Sequence, residues 1–229
     1  MKVNLVVNYY QDKNEERQKE LDFCICENLK NNLIDNVILI GEHKDIEQLI
    51  KGIPDGINKI LPLLSNTRPT FNNYFSYLSE VAEKIDIGLE TAINIIANLD
   101  IIIPAETIQK IKDGNCFTNP KTCLALTRWD MVSRDTFIGS QFFDRPDSQD
   151  SWLFKGSIPQ MEGADVRLGI AGIDNVIAYV LEQNGYNVIN PSKSLHTFHL
   201  HLTNIRNYIV NNEVIERLPP PYKLLPPTL

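Results

Sequence analysis

The amino-acid sequence predicts an α/β domain with a mostly parallel, doubly wound sheet flanked by helices. Three observations lead there. Short apolar runs rich in β-branched residues are bounded by turn residues, amphipathic stretches of helical period separate them, and strand and helix alternate through residues 3–103. A chain of 229 residues has room for one sheet covered on both faces, so a single domain is expected.

Residues 3–9 are apolar and β-prone, and residues 12–33 carry Leu21, Cys24, Ile25 and Leu29 at helical spacing among charges. Residues 36–41 form a continuous apolar run, which suits a strand buried on both faces of a parallel sheet. Residues 59–63 read as a third strand, and residues 70–84 place Phe71, Tyr74, Phe75, Leu78, Val81 and Ala82 on one helical stripe. Residues 92–103 are too rich in β-branched side chains to be comfortable as a helix and read as one long strand. Beyond it, residues 123–127 and 151–154 read as strands, residues 174–185 as a helix with an acidic first turn and a terminal Gly185, and residues 186–189 as a strand. The prolines of residues 218–229 forbid a helix. That segment is set apart from a domain at residues 1–217 as an extended tail, a surface strap or linker stub.

Composition narrows the function. A net charge of −7 and a pI near 5.1 repel a polyanionic backbone, so nucleic acid is excluded as a partner. No apolar run approaches the ~18 residues of a membrane span. The start, Met1-Lys2-Val3, leads directly into a strand without a signal-peptide core, so a soluble cytoplasmic protein is expected. Cys24, Cys26, Cys116 and Cys123 lack metal-site spacing and read as free thiols.

In a parallel sheet, ligands bind beyond the carboxyl ends of the strands, so polar residues there carry the argument. Asn98-Leu99-Asp100 lies near the end of the 92–103 run, and a carboxylate there either holds Mg²⁺ or Mn²⁺ or caps the next turn. Asp174 opens a helix, where the macrodipole and free N–H groups favour the anion; it is a proton acceptor or an N-cap. His199 and His201 share one face of an extended segment and are candidate metal or phosphate ligands. Arg68 stands before a helix, where a guanidinium pairs with phosphate. Asp150 beside Trp152 suits an acceptor sugar, its hydroxyls on the carboxylate and its ring on the indole; alternatively Trp152 is core. Arg128-Trp129-Asp130 is similar in kind and weaker.

These pieces, in this order, resemble GT-A-fold glycosyltransferases, most specifically in Ser148-Gln149-Asp150-Ser151-Trp152, in Gly172-Ile173-Asp174-Asn175 with its helix, and in Asn190-Pro191-Ser192 leading to His199-Leu200-His201. The resemblance covers residues 3–208 and extends to a small bacterial and large-virus group that includes a chlorovirus capsid-glycan enzyme. It implies a GT-A-like fold and transfer of a sugar from a nucleotide-diphosphate donor, a UDP-sugar, to a glycan hydroxyl with help from Mn²⁺ or Mg²⁺. It implies that Asp100 matches the last acid of a D-x-D metal motif and that His199 or His201 matches a C-terminal metal ligand. It places Asp174 at the acid of an x-E-D motif, which acts as base in inverting members, and Asn8, Tyr9 and Tyr10 where the nucleotide binds. Asn98 and Ile173 depart from the two motifs, and the base lies between Asp174 and Asp150. Two other functions stay open. A sugar-1-phosphate nucleotidyltransferase normally carries a glycine-rich loop that residues 6–11 lack, and an inactive nucleotide- or glycan-binding module would tolerate both departures.

Overall fold

The computed structural model describes residues 1–53, 55–203, 209–210, 213–214 and 217–229; the end of the resembling stretch, residues 204–208, lies outside them. The first half alternates as the periodicity demands: β1 (Val3–Asn8), α1 (Glu15–Lys30), β2 (Asn36–Gly41), α2 (His43–Gly52), β3 (Ile60–Leu64), α3 (Phe71–Lys84) and β4 (Ile93–Ala97). The Asn14 side chain caps α1, and Thr70 with Asn73 forms a reciprocal capping box at α3, satisfying backbone donors that a helix start otherwise leaves orphaned.

The second half contributes β5 (Ile101–Ile102), α4 (Ala105–Asp113), β6 (Thr122–Leu126), β7 (Trp129–Asp130), β8 (Gln141–Phe142), β9 (Ser151–Lys155), α5 (Ile173–Gln183), β10 (Asn187–Ile189), β11 (Phe198–His199), β12 (Ile209–Val210) and β13 (Glu213–Val214). Seven strands form the main sheet in the order β10-β6-β9-β4-β1-β2-β3. The pairings β1 with β2, β1 with β4, β2 with β3 and β10 with β6 are parallel, and β9 runs antiparallel to both β4 and β6. This is the mostly parallel, helix-flanked α/β sheet that the sequence predicts.

Alternation along β1 shows why both faces are apolar. Val3, Leu5 and Val7 pack with Leu21 and Ile25 of α1, Leu49 of α2 and Ile108 of α4, whereas Val6 packs with Phe71 and Phe75 of α3 and Ile177 of α5. A polar thread crosses the sheet: the Asn36 amide donates to Asn4, Asn4 to Asn94, and Asn94 to the carbonyl of Gly156, at 2.8 Å each. A one-residue slip would bury these amides without partners, so the thread helps set strand register.

Two expectations are corrected. Residues 92–103 are not one strand: the chain turns at 98–100, closed by the Ile101 N–H on the Asn98 carbonyl, and β5 joins a second, four-stranded sheet ordered β5-β11-β7-β8. α4 follows immediately, a helix the sequence reading did not single out. The segment that holds His199 and His201 is extended only briefly, because β11 contains Phe198 and His199 but not His201. In the proline-rich segment no helix forms. Leu225 is buried, its N–H donates to the Pro146 carbonyl, and the Thr228 N–H donates to that of Asn190. No helix among the described residues is long and apolar enough to cross a membrane, and the four cysteines form no disulfide.

Candidate functional site

The ends of β1, β2 and β3 open one pocket of about 240 Å³, lined by Asn8, Tyr9, Tyr10, Gly41, Glu42, Asp45 and residues 65–68. Three of the nucleotide-binding candidates, with Arg68, therefore meet in one place. Gly41 is required by packing: a Cβ there would sit 2.4 Å from the Tyr9 carbonyl oxygen. Tyr9 itself is only 1% exposed, and its hydroxyl donates to Asp22 at 2.7 Å, so that hydroxyl is already engaged. Burial and the Asp22 carboxylate push its proton loss far above the ordinary tyrosine range. Asn8 is tied by its amide to the Ile40 carbonyl at 2.9 Å. Arg68 lies exposed across Gly169, and among the described residues no carboxylate forms an ion pair with it. Tyr10 feels the charges of Asp100, Arg68 and Arg17, which places it between the pocket and the next group of residues.

That group is assembled by the small sheet. Pairing of β11 with β5 sets His199 opposite Ile101, and pairing with β7 sets it opposite Asp130; the Leu200 N–H then holds the Asp100 carbonyl at 3.0 Å. The His199 ring lies with Nδ1 2.7 Å from Asp130 Oδ1 and Nε2 3.2 Å from Asp100 Oδ2. His201 stands edge-on to it, ring centroids 5.5 Å apart, and one ligand atom each from Asp100, His199 and His201 falls within 4.8 Å of the others. One carboxylate and two imidazoles fit a divalent transition ion, Mn²⁺ better than Mg²⁺, and a carboxylate on the far nitrogen of a ligand histidine orients it toward a metal.

Two cations already lean on Asp100. Arg17 of α1 is buried and donates through Nη2 to Asp100 Oδ2 and through Nη1 to Glu20 and to the Leu200 carbonyl, both at 2.9 Å. Burial pushes the Asp100 proton affinity up, but His199 and Arg17 outweigh it and hold the carboxyl well below the usual range. Burial would depress His199, yet Asp100 and Asp130 carry it up to about 9. Neither Arg17 nor Glu20 was singled out by the sequence reading. Their signal is a pair of charges on the stripe that also holds Leu21, Cys24 and Asn28, the face of α1 that is buried.

The remaining candidates meet at the start of β9. Because β9 runs against its neighbours, its first residue, not its last, lies at the carboxyl edge of the sheet, beside the ends of β4 and β6. Asp150 there accepts from Asn98 Nδ2 at 3.1 Å and from Arg128 Nη1 at 3.0 Å, and Arg128 reaches on to Asp130 at 2.8 Å. The departure at Asn98 thus has a local reason: an aspartate would face Asp150 as a second carboxylate where the amide now donates. Asn98 serves Asp150 rather than the group of Asp100, His199 and His201. Asp174 does not cap α5, since Gly172 holds the cap position and Asp174 sits within the first turn. Nor is it favoured as an anion. Burial first, and Asp150 next, raise its proton affinity well above the ordinary range, against an opposing hydrogen bond from the Gln149 backbone. Trp152 is 0% exposed and edge-on to Phe71 at 5.6 Å, so it belongs to the core and its indole presents no face for a sugar.

No family model matches the chain, and no curated protein matches it. Among solved structures, one titled as a 4-diphosphocytidyl-2C-methyl-D-erythritol synthase aligns over 93% of this chain and 95% of its own at a TM-score of 0.49 and 11% identity. A putative glucose-1-phosphate thymidylyltransferase from Bacillus anthracis aligns over 83% and 87% at a TM-score of 0.48 and 6% identity. Likenesses this distant leave the function to the site itself.

Proposed function

We propose that the chain is a glycosyltransferase that moves a sugar from a nucleotide-diphosphate donor, a UDP-sugar, to a glycan hydroxyl with inversion. The observation that carries this reading is the sequence of three features along one sheet edge: a pocket formed by Asn8, Tyr10 and Arg68, a carboxylate–imidazole group at Asp100, His199 and His201, and a carboxylate pair at Asp150 and Asp174. Asp100, His199 and His201 would hold Mn²⁺, which when bound neutralises the departing nucleoside diphosphate.

Within this reading the two acids at β9 divide their work. Asp150 is held by Arg128 and Asn98 and positions its surroundings. No cation among the described residues lies within ion-pair distance of Asp174, and its raised proton affinity suits a group that takes a proton from an acceptor hydroxyl and keeps it. Asp174, ionised at a working pH above its raised proton affinity, would then act as the base. Arg68 is free to meet the diphosphate, and Glu42 and Asp45 on the pocket wall are placed to accept from ribose hydroxyls.

Calorimetry with UDP, with Mn²⁺ and then with chelator, tests the donor half: tighter binding with Mn²⁺ is expected, and equal affinity in both removes the metal. Slow Mn²⁺-dependent hydrolysis of a UDP-sugar separates a transferase from a binding module, which shows none.

A further inference from the structure

Arg17 is anchored in an uneven way. Its Nη1 is held twice, by Glu20 Oε2 and the Leu200 carbonyl, both at 2.9 Å, whereas only Nη2 reaches Asp100. Glu20 is 0% exposed and is fixed in turn by the backbone N–H of Thr203 at 2.9 Å and its hydroxyl at 3.0 Å. The guanidinium can therefore release Asp100 while both Nη1 contacts and the buried ion pair persist. The oxygen it occupies, Asp100 Oδ2, is also the one facing His199 Nε2 at 3.2 Å, so a cation shared by Asp100 and His199 would enter the gap that Arg17 borders. A guanidinium and a divalent ion cannot both use that oxygen without strong repulsion.

We infer that Arg17 is a resident cation that neutralises Asp100 in the metal-free protein, and that a divalent ion binds by displacing it. This rests on the reading of Asp100 and His199 as metal ligands. The displacement makes metal binding a competition within the chain: without metal, α1 and the Asp100 turn are joined through Nη2, and metal entry breaks that join. Selectivity follows, because a monovalent ion gains too little from Asp100 to displace a guanidinium that is both charged and hydrogen-bonded.

The test is Mn²⁺ titration of the full chain, read by the spin-resonance signal of free Mn²⁺, for the wild type, Arg17→Lys and the double variant Arg17→Met/Glu20→Gln. The double variant removes both members of the buried pair, so no charge is stranded; Arg17→Lys keeps the charge on Glu20 but loses the second hydrogen-bonding arm. Circular dichroism checks folding, and Arg17→Lys decides alone should the double variant not fold. Loss of a charge-assisted hydrogen bond that competes with the metal predicts Mn²⁺ binding about 10-fold tighter or more in the double variant, with Arg17→Lys between it and the wild type. Binding seen only in the variants supports the displacement most strongly. Equal or weaker binding in the variants overturns it while leaving the metal ligands in place; no binding in any of the proteins overturns the metal reading and the displacement together.

Discussion

Asp100 and Asp174 stand at the same edge of one sheet, and their surroundings drive their protons in opposite directions. Asp100 is half-buried with a guanidinium and an imidazole upon it, and their charges overcome the desolvation; Asp174 is half-buried with another carboxylate nearby, and desolvation and charge act together. Groups whose environments separate their proton affinities can divide acid–base labour, one held as a permanent anion and the other able to take up a proton. A chain of alternating charges connects the two regions, Arg17 to Asp100 to His199 to Asp130 to Arg128 to Asp150, so they form one electrostatic unit.

The largest effect expected from this contrast is on turnover. Asp174→Asn should lower sugar transfer by about 10²–10⁴-fold while UDP binding is retained, because a positioned base is lost and nothing in the pocket changes. If Asp174→Asn transfers at the wild-type rate and Asp150→Asn does not, the two acids exchange roles; if both remain active, inversion through a carboxylate base is wrong.

Asp100→Ala should abolish the Mn²⁺ dependence of UDP binding, and it should also destabilise the fold. Removing one partner of a buried ion pair leaves Arg17 and His199 without their anion, a change that typically costs about 3–5 kcal/mol in chemical denaturation. An unchanged unfolding midpoint would mean that Asp100 is solvated rather than buried among cations.

A smaller effect is expected one bond further out. Asp130→Asn keeps a hydrogen-bond acceptor at His199 Nδ1 but removes its charge, so Mn²⁺ affinity should fall by about 10–100-fold with little change in fold. Unaltered affinity would remove Asp130 from the metal centre and leave it as a partner of Arg128 alone.

The subtlest test is the pH dependence of stability. The folded proton affinity of Asp174 lies above its unfolded value, so the folded state binds more protons and stability falls as pH rises from the ordinary carboxylate range through the raised folded value. Asp174→Asn removes that loss. Its Tm should therefore gain on the wild type as pH rises above the ordinary carboxylate range, in thermal unfolding at matched ionic strength; a difference in Tm that is constant with pH would show that the carboxyl is not perturbed.

How much was legible in the sequence depends on whether a pattern is local. Residues 36–41 and 70–84 report their own burial through apolar period and capping residues, and β2, the Thr70 cap and α3 follow from them directly. Residues 92–103 are apolar throughout, and nothing local distinguishes one strand from two; the break at 98–100 arises because β5 pairs with β11, almost a hundred residues on, while Asn98 bonds Asp150. Trp152 next to Asp150 reads as a sugar platform in one dimension. Alternation on β9 sends the indole into the layer beneath α3 and leaves Asp150 at the sheet edge.

By itself, then, the sequence determined most strands of the main sheet, the alternation of strand and helix in the first half, the apolar faces of that sheet, and the residues Asp100, Asp174, His199 and Arg68 as candidates, because period and residue chemistry are properties of neighbours along the chain. Only the tertiary structure decided which strand runs backward, which charges face one another and in which direction each proton is driven. Those depend on Coulomb interactions and desolvation between groups far apart in sequence, as when Arg17 meets Asp100 across 83 residues and His199 meets it across 99.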